Sequence, residues 1–90
     1  MASIHNIRQK NIHVKGGEKV FYKHIGQAIR HHRELQGMTQ EDLGVKTGFS
    51  QSYIAKVETG RGLPSIKRLE VFAKALGVEM NELWKEGEQE

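Results

Sequence analysis

The chain contains no cysteine. That absence removes a disulfide scaffold, an iron–sulfur site, a thiolate zinc site and a cysteine nucleophile together. Proline occurs once, at Pro64, and aromatic residues make up only 7% of the sequence. No apolar run approaches the ~20 residues that a membrane-spanning helix needs, and the polar start lacks the apolar block of a signal peptide. The expected setting is the cytoplasm. What is present is a soluble globular mixture, 37% hydrophobic and 28% charged over 90 residues, enough for one domain and one core.

The formal charge of +3 conceals a segregation. Residues 1–40 carry seven Lys or Arg against Glu18 and Glu34, a net +5. Residues 61–78 carry Arg61, Lys67, Arg68 and Lys74 against Glu70, a net +3, whereas five Glu against Lys85 give residues 79–90 a net −4. A basic working surface facing a polyanion is implied, with the acidic end turned elsewhere. Charge alone does not separate DNA, RNA and a membrane surface.

The ten glycines fall mostly between periodic segments, as punctuation. Tyr22, Ile25, Ala28 and Ile29 recur at helical spacing in a first helix from Tyr22 to Gln36, stopped by Gly37. Thr39 caps a second, with Asp42 at its third position, and that helix ends at Gly48. Ser50 caps a third, Gln51 to Glu58, with Ile54 and Val57 inward and Gly60 beyond its end. Ser65 caps a fourth whose stripe is Ile66, Leu69, Phe72, Ala73 and Leu76, closed by Gly77. A short last turn carries Met80, Leu83 and Trp84. The expected fold class is all-α, with five helices over residues 22–85 and an acidic tail at 86–90.

Residues 1–21 form an N-terminal extension with two readings. Ile12, Val14, Val20 and Tyr22 share a face if Gly16-Gly17 occupy the loop of a short β-hairpin. Otherwise the segment is a basic arm.

The second helix, the break Gly48-Phe49-Ser50 and the third helix together have the form of a helix-turn-helix. Gly44 lets the third helix cross closely, Gly48 permits the sharp left-handed turn, and Phe49 plugs the corner. The outer face of the third helix keeps Gln51, Ser52, Tyr53, Ala55 and Lys56 available to a ligand.

From Ile25 to Leu83 the sequence resembles the phage-repressor (Cro-like, XRE) helix-turn-helix family. The resemblance lies in the runs from Arg33 to Leu43 and from Gly48 to Gly60, in Pro64-Ser65-Ile66, and in Ala75-Leu76-Gly77-Val78. It implies a five-helix lambda-repressor-like domain that binds double-stranded operator DNA as a homodimer and regulates transcription, here as a repressor on a palindromic site. It also implies roles. Gln51, Ser52 and Lys56 fall at base-reading positions, and the chemistry fits: glutamine pairs with adenine, serine with several edges, lysine with guanine acceptors. Gln40, Ser50, Tyr53, Thr59, Arg61 and Ser65 fall where the family meets the DNA backbone. Arg30, Lys46, Lys67 and Arg68 are weaker candidates of the same kind, since most helix charges are simply solvated. Arg33 and Glu58 match a structural pair joining the first and third helices, and Met80, Leu83 and Trp84 match a closing helix where dimers form. His32 departs from the pattern, standing where the family usually has leucine, and Glu79 is a poor helix cap.

No metal site, cofactor or enzymatic activity is expected. His24, His31 and His32 have no i,i+4 pairing and no carboxylate or thiolate completing a ligand set. Gly16-Gly17-Glu18-Lys19 lacks the glycine spacing and the Ser/Thr of a phosphate-binding loop. The competing reading is an antitoxin or a bridging factor that carries the same domain and grips a protein partner through residues 1–21. A regulator of the chromosome belongs to the cytoplasm, at the nucleoid.

Overall fold

The computed structural model describes the backbone of residues 15–84 and the side chains of residues 24–84. Five helices follow one another: α1 (Lys15–Leu35), α2 (Gln40–Thr47), α3 (Gln51–Glu58), α4 (Ile66–Leu76) and α5 (Asn81–Trp84). Among the described residues there is no strand. The fold is all-α, as expected.

Two sequence expectations need correction. The first strand of the hairpin reading, Ile12 and Val14, lies outside the described residues, and the backbone that would carry its loop and second strand, Gly16-Gly17 to Tyr22, belongs to α1. Gly16 and Gly17 lie in the first turn of α1, where N–H groups have no intrahelical acceptor and a glycine interrupts nothing. Ile66, assigned to the inward stripe of α4, is 66% exposed. It is the first residue of that helix, and the stripe makes contact only from Leu69 onward.

The helix boundaries have visible causes. Thr39 Oγ1 accepts the Asp42 N–H at 2.9 Å while Asp42 Oδ2 accepts the Thr39 N–H at 2.9 Å, a reciprocal capping box that opens α2. The Thr39 backbone N–H, with a smaller contribution from the Thr39 side chain, holds the Asp42 carboxyl below its ordinary value of 3.8. Gly48 closes the helix with φ +82°, and its N–H donates to the Gly44 carbonyl at 2.7 Å. A side chain would resist that left-handed backbone. Ser65 Oγ accepts the Arg68 N–H at 3.2 Å at the start of α4. Lacking a good side-chain cap, α5 is a short turn in which the Glu79 and Met80 carbonyls accept the N–H groups of Glu82 and Leu83.

One core joins these pieces. Ile25 and Ile29 of α1, Leu43 of α2, Ile54 and Val57 of α3, Leu69, Phe72, Ala73 and Leu76 of α4, and Leu83 of α5 are buried together. Helix α1 packs on α3, α4 and α5, and α2 packs on α3 and α4, so α3 is held from two sides. Gln36 adds a polar latch, its Nε2 donating to the Leu76 carbonyl at 2.7 Å. His32 stays at the margin of the core, half-buried, its ring edge-on to His31 at 5.4 Å.

Candidate nucleic-acid interface

Helix α3 begins where Ser50 Oγ accepts the Tyr53 N–H at 3.0 Å. Ile54 and Val57 have no exposed surface, which fixes the helix's rotation. Gln51, Ser52 and Lys56 then come out on one exposed edge, with Ala55 half-buried beside them. Gln51 and Ser52 occupy the first turn, where backbone N–H groups and the positive end of the helix dipole also face outward. The stem of Lys56 lies over Gly62, whose open side is lined by Lys56 methylenes 3.7–4.0 Å from where a Cβ would sit. The ammonium is thereby carried toward the loop that holds Arg61.

The carboxyl end of α3 is clamped. Glu58, buried, accepts from Arg33 Nε at 2.7 Å and Nη2 at 3.0 Å, a bidentate pair, and from Gln40 Nε2 at 3.0 Å. Arg33 Nη1 donates to the Met38 carbonyl at 2.7 Å. Hydrogen bonding to Glu58 holds the Arg33 guanidinium above its ordinary value, against the opposing pull of burial. The network ties α1, the α1–α2 connection, the start of α2 and the end of α3 into one unit. Gln40 keeps a second amide proton for a ligand.

The remaining backbone-contact candidates differ in what they offer. Ser50 and Ser65 are exposed and use only an acceptor lone pair for capping, so each hydroxyl proton is free to reach outward. Thr59 is otherwise: its Oγ1 donates to the Ala55 and Lys56 carbonyls at 3.0 and 3.1 Å, turning the proton inward. Arg61 is exposed, and its backbone N–H closes on the Lys56 carbonyl at 3.0 Å. Tyr53 is half-buried, packed edge-on against Phe49 with ring centres 5.1 Å apart.

The family model described as Helix-turn-helix (HTH_3) matches residues 29–83. The chain belongs to the HTH_3 family. Among its relatives, an HTH-type transcriptional regulator, y4dJ of Sinorhizobium fredii, is 39% identical over 61 residues, covering 68% of this chain and 79% of the relative. The immunity repressor protein of Bacillus phage phi105 is 39% identical over 57 residues, covering 63% of this chain but only 40% of the repressor. A similar solved structure is the restriction-modification controller protein C.Esp1396I, a tetramer in complex with its natural 35 base-pair operator. Its TM-score is 0.62 at 30% identity, covering 72% of this chain and 96% of that one.

Within this HTH_3 domain two glycines mark places where a helix meets another segment's backbone directly. Gly26 of α1 is buried where a Cβ would overlap the Val57 carbonyl oxygen, so α1 touches the backbone of α3 directly. Gly44 does the same for the turn, a Cβ there meeting the Phe49 carbonyl oxygen at 2.9 Å. Gly44 was legible from its place in the helix-turn-helix; Gly26 gave no signal beyond being a glycine in a helix. The dimer candidates also separate. Leu83 is wholly buried in its own chain's core and Met80 is half-buried against it, leaving Trp84, 36% exposed, as the one outward apolar surface of the three.

Proposed function

We propose that the chain is a sequence-specific double-stranded DNA-binding transcriptional regulator, a repressor acting as a homodimer on a palindromic operator. The observation that carries this is the edge of α3, with Gln51, Ser52 and Lys56 exposed on a helix anchored by buried Ile54 and Val57. Such an edge fits the major groove, with glutamine suited to adenine and lysine to guanine. Gln40, Ser50, Arg61 and Ser65 would meet phosphates on either side, and the operator-bound controller protein and the phage repressor are consistent with this use of the fold. A dimer would set two copies of α3 about 34 Å apart, one turn of duplex. Such a regulator works in the cytoplasm, with the chromosome. The alternative in which residues 1–21 grip a protein partner concerns a segment whose side chains lie outside the described residues.

The test is selection of bound sequences from a randomised duplex pool, repeated with Gln51→Ala and Lys56→Ala. A palindromic consensus whose preferred bases change in the variants is expected, each good bidentate contact contributing about 1–3 kcal/mol of discrimination. An unchanged consensus in both variants would place the reading surface elsewhere.

A further inference from the structure

Three rings from three elements pack together under the start of α3. Phe49 comes from the turn, Tyr53 from α3 and Phe72 from α4. Ring centres lie 5.1 Å apart for Phe49 and Phe72 and 6.4 Å for Tyr53 and Phe72, the latter pair nearly parallel at 21°. Phe72 is wholly buried and anchors the group. Arg68, one turn earlier on α4, lays its guanidinium over this group, with Cζ 5.1 Å from the Tyr53 ring centre and 5.9 Å from that of Phe49. Both distances lie within the reach of a cation–π contact.

The charge of Arg68 is unspent. Arg30 is paired with Glu34, and Arg33 with Glu58. Among the described residues Arg68 has neither a carboxylate partner nor an acceptor for its guanidinium N–H groups. It is exposed, yet its planar head rests on two aromatic faces. A cation held that way gives up less side-chain freedom on meeting an anion than a solvated one does. Its N–H fork matches the spacing of phosphate oxygens. Tyr53, which carries it, sits in the turn of α3 that also presents Gln51 and Ser52.

We propose that Arg68 grips a phosphate of the bound duplex beside the first turn of α3, and that Tyr53 is its positioning residue. The inference rests on the DNA-binding reading above. It gives the half-buried Tyr53 a role through its ring face rather than through its hydroxyl. It also makes α4 part of the contact surface, since the same guanidinium spans the turn, α3 and α4.

The experiment uses the full chain and two probes, the duplex it selects from a randomised pool and a mixed-sequence duplex of equal length. Affinity is measured across salt concentration. Arg68→Gln should weaken both duplexes roughly tenfold and flatten the slope of log affinity against log salt by about 0.9, the loss of one phosphate contact. Arg68→Lys should keep the slope while losing part of the affinity, because the charge survives and the fork does not. Tyr53→Phe, which keeps the ring face and drops the hydroxyl, should keep the Arg68 contribution to the salt slope and lose less affinity than Tyr53→Leu. Tyr53→Leu should reproduce most of the Arg68→Gln loss, and the double variant should lose less than the two losses combined. Should Tyr53→Leu unfold, the Arg68→Gln and Arg68→Lys slopes and Tyr53→Phe carry the test. An unchanged affinity and slope for Arg68→Gln, with Arg61→Ala and Gln51→Ala still weakening binding, overturns this assignment and leaves the regulator reading standing. If none of the three variants alters binding, both fall together.

Discussion

At the scale of single residues, Glu58 is a buried charge joined to two other elements. It is buried, receives three side-chain N–H donors, and has Arg33 as a buried counter-charge. Replacing both partners by apolar groups could be nearly neutral, but removing one leaves the other stranded. Glu58→Ala is therefore expected to destabilise the fold by about 3–5 kcal/mol, read from the midpoint of urea unfolding. A full-sized loss in Glu58→Ala with almost none in a paired Arg33→Met, Glu58→Leu variant would separate stranding from net attraction. Asp42 supplies a pH dependence of known sign. Its folded-state carboxyl titrates below the ordinary 3.8, so the capping contribution is present above that value and disappears as pH falls through the depressed one. The stability gap between the parent and Asp42→Asn should accordingly shrink on acidification below about pH 4, and a gap independent of pH would contradict the capping account.

At the scale of elements, what the sequence made legible was what leaves a periodic or local signature. Ile25 and Ile29, and Leu69, Phe72, Ala73 and Leu76, repeat at helical spacing and are the core. Thr39, Ser50 and Ser65 announce helix starts by chemistry that acts within four residues, and all three cap. What stayed hidden depends on partners distant in the chain. The start of α1 at Lys15 rather than Tyr22 leaves no local mark, because Gly16-Gly17 looks the same in a turn and in a first helical turn. Ile66 fits its stripe in spacing, yet among the described residues no element covers that end of α4. Gly26 is defined by the Val57 and Glu58 backbone that approaches it, thirty-one and thirty-two positions away. That contact can be tested by adding one carbon. Gly26→Ala should destabilise by about 2 kcal/mol or more through overpacking against backbone, which cannot turn aside. Gly62→Ala, where a Cβ meets only flexible Lys56 methylenes at 3.7 Å and beyond, should be tolerated. In a domain of this size 1 kcal/mol moves the melting temperature by about 4–8 °C, so calorimetry resolves the two.

For the molecule as a whole, electrostatics and assembly are the open variables. Residues 1–78 carry a net +7 against −4 in the last twelve, so association with a polyanion should be oriented as well as salt-sensitive. Arg61→Ala is expected to weaken selected and mixed-sequence duplexes alike and to lower the salt slope by about one, unlike Gln51→Ala, whose effect should depend on sequence. Assembly is read separately. If Trp84 seats a second copy, Trp84→Glu should halve the mass seen by sedimentation equilibrium and remove the dependence of the parent's unfolding midpoint on protein concentration. A parent already at monomer mass across the working concentration range would exclude that surface.

The bracing of α3 from behind has a further consequence. Its position is set by Gly26 against the Val57 carbonyl, by the Arg33–Glu58 clamp, and by Ile54 and Val57 in the core. None of these involves Gln51, Ser52 or Lys56. The exposed edge is thus a replaceable cassette: on the proposed reading, libraries confined to positions 51, 52 and 56 should yield proteins with altered targets and near-parental melting behaviour, because the mounting stays put.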